Sequence, residues 1–123
     1  MLDVNKVVLV GEICNIHQRD DALNPTIFFQ VRTCMHSLDG RSHPNTHNVV
    51  AFGKNAGRLM HEIYDGLRIY IDGRLESKIG KDDLSLVQVV VISFSLDIYE
   101  FEQSGIDRSF DEGPRSEGVT IGD

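Results

Sequence analysis

The chain has 123 residues, 41% of them hydrophobic and 25% charged, and a formal net charge of −7. No apolar run approaches the length needed to cross a bilayer, and the two cysteines lie far apart, so neither a helical membrane protein nor a disulfide-built scaffold is expected. Residues 1–102 carry 10 Lys/Arg against 14 Asp/Glu and residues 103–123 carry 2 against 5, so net charge does not favour a polyanionic partner and any basic surface must be a local patch.

The N-terminal stretch is neither Arg-rich nor followed by a signal-type apolar segment with a cleavage site, so the protein is expected to stay in the compartment where it is made. Residues 4–16 contain Val7, Val8, Leu9, Val10, Ile13 and Ile16 with Gly11 interrupting, the pattern of a long strand bent at a glycine. Such a bend lets one strand serve both halves of a small barrel. Asp20-Asp21-Ala22-Leu23-Asn24-Pro25 reads as a turn. Over residues 26–34, Ile27, Phe29, Val31 and Thr33 alternate with Phe28, Gln30, Arg32 and Cys34. The first set is expected to face inward and the second outward, with Phe28 anomalous on the outer face. Residues 36–46, with Asp39-Gly40 and Pro44, are expected to form a hairpin-like loop. In the strand that follows, residues 46–52, Thr46, Asn48, Val50 and Phe52 share one face, opposite His47, Val49 and Ala51.

Residues 54–64 carry Ala56, Leu59, Met60 and Ile63 at helical spacing, with Gly53 before and Gly66 after. A strand over residues 67–75, a loop with Gly80-Lys81-Asp82-Asp83 and a β-branched run from Leu84 to about Tyr99 complete the body. Three strands, a helix and two strands is the order of an all-β, five-stranded OB-fold barrel with one helix between strands 3 and 4. From Gln103 onward the apolar content collapses. Residues 103–123 cannot bury enough apolar surface to offset their ordering entropy, so they are read as a disordered acidic tail beside a domain of residues 1–102.

Three motifs carry a resemblance to a known family. Asn5 and Lys6 precede Val7-Val8-Leu9-Val10-Gly11, Phe52-Gly53-Lys54 makes the step from strand to helix, and Ile71-Asp72-Gly73-Arg74-Leu75 supplies an apolar, acidic, glycine, x, leucine strand. With these, roughly residues 4–100 resemble the bacterial-type single-stranded DNA-binding protein family. The resemblance implies non-catalytic binding and protection of single-stranded DNA in replication, recombination or repair, and a nucleoid-associated place in the cytoplasm. It also implies a homo-oligomer, dimer or tetramer, with a third-strand histidine near the subunit contact, the position of His47. An acidic tail with an apolar tip recruits replication and repair proteins in the family. Here the tip, Gly118-Val119-Thr120-Ile121-Gly122-Asp123, lacks the aromatic ending typical of many members.

Sequence-tolerant binding of single strands needs aromatic faces on which bases stack, each worth about 1–3 kcal/mol, and cations that track phosphates. The family commonly supplies tryptophans, and this chain has none. Thr46 stands where one would open the third strand; the others would fall near His36 and near Ile79 or Gly80. Phe28 and Phe52 are the remaining stacking candidates, and Lys6, Arg32, Lys54, Arg74 and Lys78 the phosphate-binding ones, with Lys81 on a loop. Cys34, His36, His43 and His47 have metal-ligand side chains, but their spacing fits no common structural zinc pattern. No phosphate loop, nucleophile elbow or paired-carboxylate pattern stands out, so no metal, cofactor or enzymatic activity is expected. Two alternatives stay open. One is a primosomal-type OB-fold protein-interaction module with weak nucleic-acid binding, favoured by the missing tryptophans and the acidic body. The other is a single-stranded RNA binder, since stacking accepts either nucleic acid.

Overall fold

Alternation of apolar and polar side chains builds five strands, and one amphipathic segment builds the helix between them. The computed structural model describes residues 1–19, 23–80 and 85–96. Its elements run β1 (Val7–Arg19), β2 (Thr26–His36), β3 (Ser42–Phe52), α1 (Gly53–Glu62), β4 (Arg68–Ile79) and β5 (Ser85–Ser95). The strands close into a barrel in the order β1-β2-β3-β5-β4, antiparallel except for the parallel contact of Val49 with Val89 and Val50 with Val90 between β3 and β5. This is the OB-fold that the order of elements predicts. Among the described residues no helix is long and apolar enough to cross a membrane.

The barrel interior is filled from every strand. Ile13, Ile27, Phe29, Val31, Val49, Ala51, Ile69, Ile71, Val89 and Val91 form one buried cluster with Ala56 and Leu59 of α1, which packs its apolar face on the barrel. The alternation expected of β2 holds: Ile27, Phe29 and Val31 are buried, Phe28 and Gln30 half-buried and Arg32 exposed. In β3, Val50 differs from expectation. It has the outward parity of Asn48 and Phe52 yet is fully buried, because it sits beside Val90 at the parallel contact between strands.

β1 serves two neighbours. Residues from Val7 to Glu12 pair with β4, and residues from Glu12 to Arg19 pair with β2. The change of partner falls beside Gly11, where a Cβ would stand 2.4 Å from the carbonyl oxygen of Arg32. Gly73 of β4 is placed alike, 2.4 Å from the carbonyl oxygen of Val90. Both glycines let one backbone approach another more closely than any side chain allows.

Several boundaries differ from those expected. β1 starts at Val7 rather than Val4, but Asn5 continues its ladder by other means: its side-chain amide donates to the Leu75 carbonyl at 2.9 Å and accepts from the Leu75 N–H at 2.8 Å. The sheet also runs past Ile16 to Arg19 through a bulge between Cys14 and His17. The expected loop of residues 36–46 is mostly strand, since the β2–β3 ladder is unbroken from Thr26 opposite Phe52 to His36 opposite Ser42. Pro44 is tolerated inside it because, among the described residues, β3 pairs with β5 only at Val49 and Val50; beyond them no described strand pairs with its outer edge and no N–H is needed there. The turn shrinks to residues 37–41, with Gly40 at φ 86°. Likewise β4 extends to Ile79 rather than Leu75, and α1 spans Gly53–Glu62 rather than residues 54–64. Asp20-Asp21-Ala22, the Lys81-Asp82-Asp83 loop, the expected end of β5 at Tyr99, the domain boundary at residue 102 and the tail of residues 103–123 lie outside the described residues.

Gly11→Ala and Gly73→Ala should each lower the stability of the barrel by about 1–3 kcal/mol, because the added methyl meets backbone that cannot rotate away. Urea unfolding of each variant measures this, and an unchanged midpoint would show that the strands can separate at no cost.

Candidate nucleic-acid interface

The outer faces of β2 and β3, with the end of β1 and the start of β5, enclose an open groove of about 440 Å³. Its lining includes Phe28, flanked by Asn15 and His17 on one side and by Leu86, Val87 and Gln88 on the other. Phe28 is half-buried, and the Arg19 guanidinium lies 5.6 Å from its ring centroid, within reach of a cation–π contact. Phe28 pairs with Val50 and Thr26 with Phe52, so Phe52 is the diagonal neighbour of Phe28 on the same face. Phe52 is 46% exposed and immediately precedes α1, whose first turn carries Lys54. The strand-to-helix step is held by Gly53 at φ 61°, whose N–H donates to the Pro25 carbonyl at 3.1 Å. Thus the structure gathers Phe28, Phe52 and Arg19 at one end of one face. Arg19 was not legible as part of this site, because the bulge before His17 shifts the side-chain parity of the rest of β1.

The other expected cations meet carboxylates. Lys6 Nζ donates to both carboxylate oxygens of Asp72, at 3.0 and 2.9 Å, on the β1–β4 side of the barrel and apart from the groove-lining residues. Arg32 donates to Glu12 at 2.8 Å across the β1–β2 ladder. Arg74 and Lys78 each lie 3.9 Å from the Glu76 carboxylate. Lys54 has no ion pair or side-chain hydrogen bond among the described residues. His47 points away from Asn48, as its strand parity predicts, and shares a 2.9 Å hydrogen bond with Thr33 Oγ1. Cys34, His36 and His43 are spread along the β2–β3 hairpin opposite Pro44, Ser42 and Met35.

The hydrogen bond and charge of Arg32 hold the Glu12 carboxyl below its usual range and push the Arg32 guanidinium up. Because the folded-state value of Glu12 is depressed, its contribution to stability is present above the unfolded glutamate value and lost as pH falls through the folded one. Both groups are exposed, so the pair is screened and adds little to stability.

A family model described as the single-strand binding protein family matches residues 4–99. The chain belongs to that family. It is a single-stranded DNA-binding protein, and roles in replication, recombination and repair are typical of its family. The match spans the region in which the three motifs lie. Among solved structures, the fold is similar to that of a small single-stranded DNA-binding protein from Streptomyces coelicolor, with a TM-score of 0.64 and 18% identity over 80% of this chain and 97% of that one. It is also similar to the wild-type single-stranded DNA binding protein from Thermus aquaticus, with a TM-score of 0.65 and 22% identity. That comparison covers 75% of this chain and 49% of the other, so this chain matches about half of its length. No protein of curated function matches the sequence.

Glu12 neutralises a cation on the same outer face as Gln30, so Glu12→Gln should free Arg32 for phosphate. Single-strand affinity should rise, and the log-log salt slope should steepen by about 0.7, the contribution of one further phosphate contact. Titrations at three salt concentrations would check both, and an unchanged slope would show that Arg32 lies off the path of the strand.

Proposed function

We propose that this protein holds single-stranded DNA along the groove, stacking bases on Phe28 and Phe52 and drawing the phosphates to Arg19, Lys54, Arg74 and Lys78. Arg74 and Lys78 stand 3.9 Å from Glu76, too far for a hydrogen bond, whereas Lys6 and Arg32 are hydrogen-bonded to carboxylates and would join only by exchanging a carboxylate for a phosphate. The convergence of two phenylalanines and an arginine on one open face supports this reading most directly. The protein acts as a binder and performs no chemistry. We further propose that it works as a homo-oligomer, dimer or tetramer, with His47 near the subunit contact, that it associates with the nucleoid, and that residues 103–123 recruit replication or repair proteins.

With four phosphates engaged, log Kd should vary with log salt with a slope of magnitude about 3. Fluorescence-anisotropy titration of labelled oligo-dT at two salt concentrations, with a duplex control and an RNA competitor, tests the reading. Salt-sensitive binding of the single strand alone supports it. The pairing of Lys6, Arg32, Arg74 and Lys78 with acids favours a second reading, in which the barrel chiefly serves protein assembly. No binding at low salt would favour that one.

Phe28→Ala and Phe52→Ala should each weaken oligo-dT binding by about 1–3 kcal/mol while the barrel stays folded. Unchanged affinity in both variants would remove stacking from the mechanism. His47→Lys should shift sedimentation toward smaller species at low micromolar concentration; the same species as the unaltered protein would place the contact elsewhere.

A further inference from the structure

Four uncharged amide side chains line the groove among its apolar residues. Asn15 Nδ2 donates to Gln30 Oε1, and Gln30 Nε2 donates to Asn48 Oδ1 at 3.0 Å, which makes one chain of amides across β1, β2 and β3. A fourth amide, Gln88 of β5, lines the same groove and donates to Glu76 at 2.7 Å.

The chain begins at an unusual residue. Asn15 lies within β1 at φ 53°, at the bulge between Cys14 and His17. The left-handed conformation is unfavourable for a residue with a Cβ, and Asn is among the few that adopt it. A bulge interrupts pairing and re-aims a side chain, here toward Gln30.

The hydrogen-bond order fixes what the chain leaves available. Gln30 uses its carbonyl for Asn15 and its amino group for Asn48, so it is held at both ends. Among the described residues, the Asn48 amino group has no acceptor, and the side-chain carbonyls of Asn15 and Gln88 have no donor. A base laid over these amides beside Phe28 takes the place of water on those groups. A covered polar group left without a partner costs more than a made hydrogen bond contributes. The base must therefore supply donors and acceptors of its own.

We propose that the Asn15–Gln30–Asn48 amide chain reads the hydrogen-bonding edges of bases in single-stranded DNA. This rests on the groove being the strand's path, as argued above. Asn48 and Asn15 contact the base, and Gln30 is a positioning residue that orients both. Binding then depends on what a base carries at its edge as well as on its stacking face.

The test uses two labelled oligomers of equal length, oligo-dT and one in which difluorotoluene replaces thymine, keeping shape and stacking face but lacking a competent hydrogen-bonding edge. The full-length protein should bind the isostere at least about fivefold more weakly than oligo-dT, as expected for an unpaired edge. Gln30→Leu and Asn15→Gly should bind the two oligomers within about twofold of each other, with the salt slope unchanged because the phosphate contacts remain. Asn15→Gly is the safer variant for folding, since glycine adopts positive φ without strain. If the unaltered protein binds both oligomers equally, or if Asn15→Gly keeps the unaltered ratio, edge reading is overturned while stacking and phosphate capture stand. If neither oligomer binds, the groove as the strand's path falls, and edge reading with it.

Discussion

The barrel depends on two places where backbones touch. At Gly11, β1 leaves β4 for β2, and the space a side chain would need is occupied by the carbonyl of Arg32. Gly73 brings β4 equally close to the Val90 carbonyl of β5. These approaches let five strands coil tightly enough to close around one apolar core. Closure in turn sets the outer faces of β2 and β3 against the start of β5, which creates the groove. The proposed binding surface is thus a consequence of how the barrel shuts.

The groove differs in kind from the rest of the surface. Most of the cations on the barrel stand beside carboxylates, as with Lys6 and Asp72 or Arg32 and Glu12. An acidic chain that binds a polyanion must keep the strand's path clear of its own carboxylates, and the groove proposed as that path is lined by four amides, two phenylalanines, a histidine and three aliphatic residues. Binding on such a surface would rely on base contacts more than on charge. The absence of tryptophan sharpens this, since less of the affinity would come from large stacking faces.

Much of the fold was legible because its signals are local. Period-two alternation in residues 26–34 placed Ile27, Phe29 and Val31 inside and left Phe28 anomalous, and Phe28 lines the groove. Ala56, Leu59 and Met60 announced the helix, and Gly11 the shared strand. Residues 36–46 misled, since Asp39-Gly40 and Pro44 are turn residues in most settings. The ladder runs through Pro44 because no described strand pairs with its far edge, a fact of topology that no local window contains.

The sequence by itself determined the order of elements, the parity of β2 and β3 and the family motifs, because side-chain periodicity and glycine placement act over a few residues. Only the tertiary structure decided which charges meet, since Lys6 and Asp72 are 66 residues apart and pair solely through the β1–β4 register. It also decided the site's edge. One extra residue at the Asn15 bulge reverses the parity of everything after it in β1, which carries Arg19 onto Phe28 and Asn15 onto Gln30. A one-residue slip in a strand changes faces, and no composition or spacing rule records where the slip occurs.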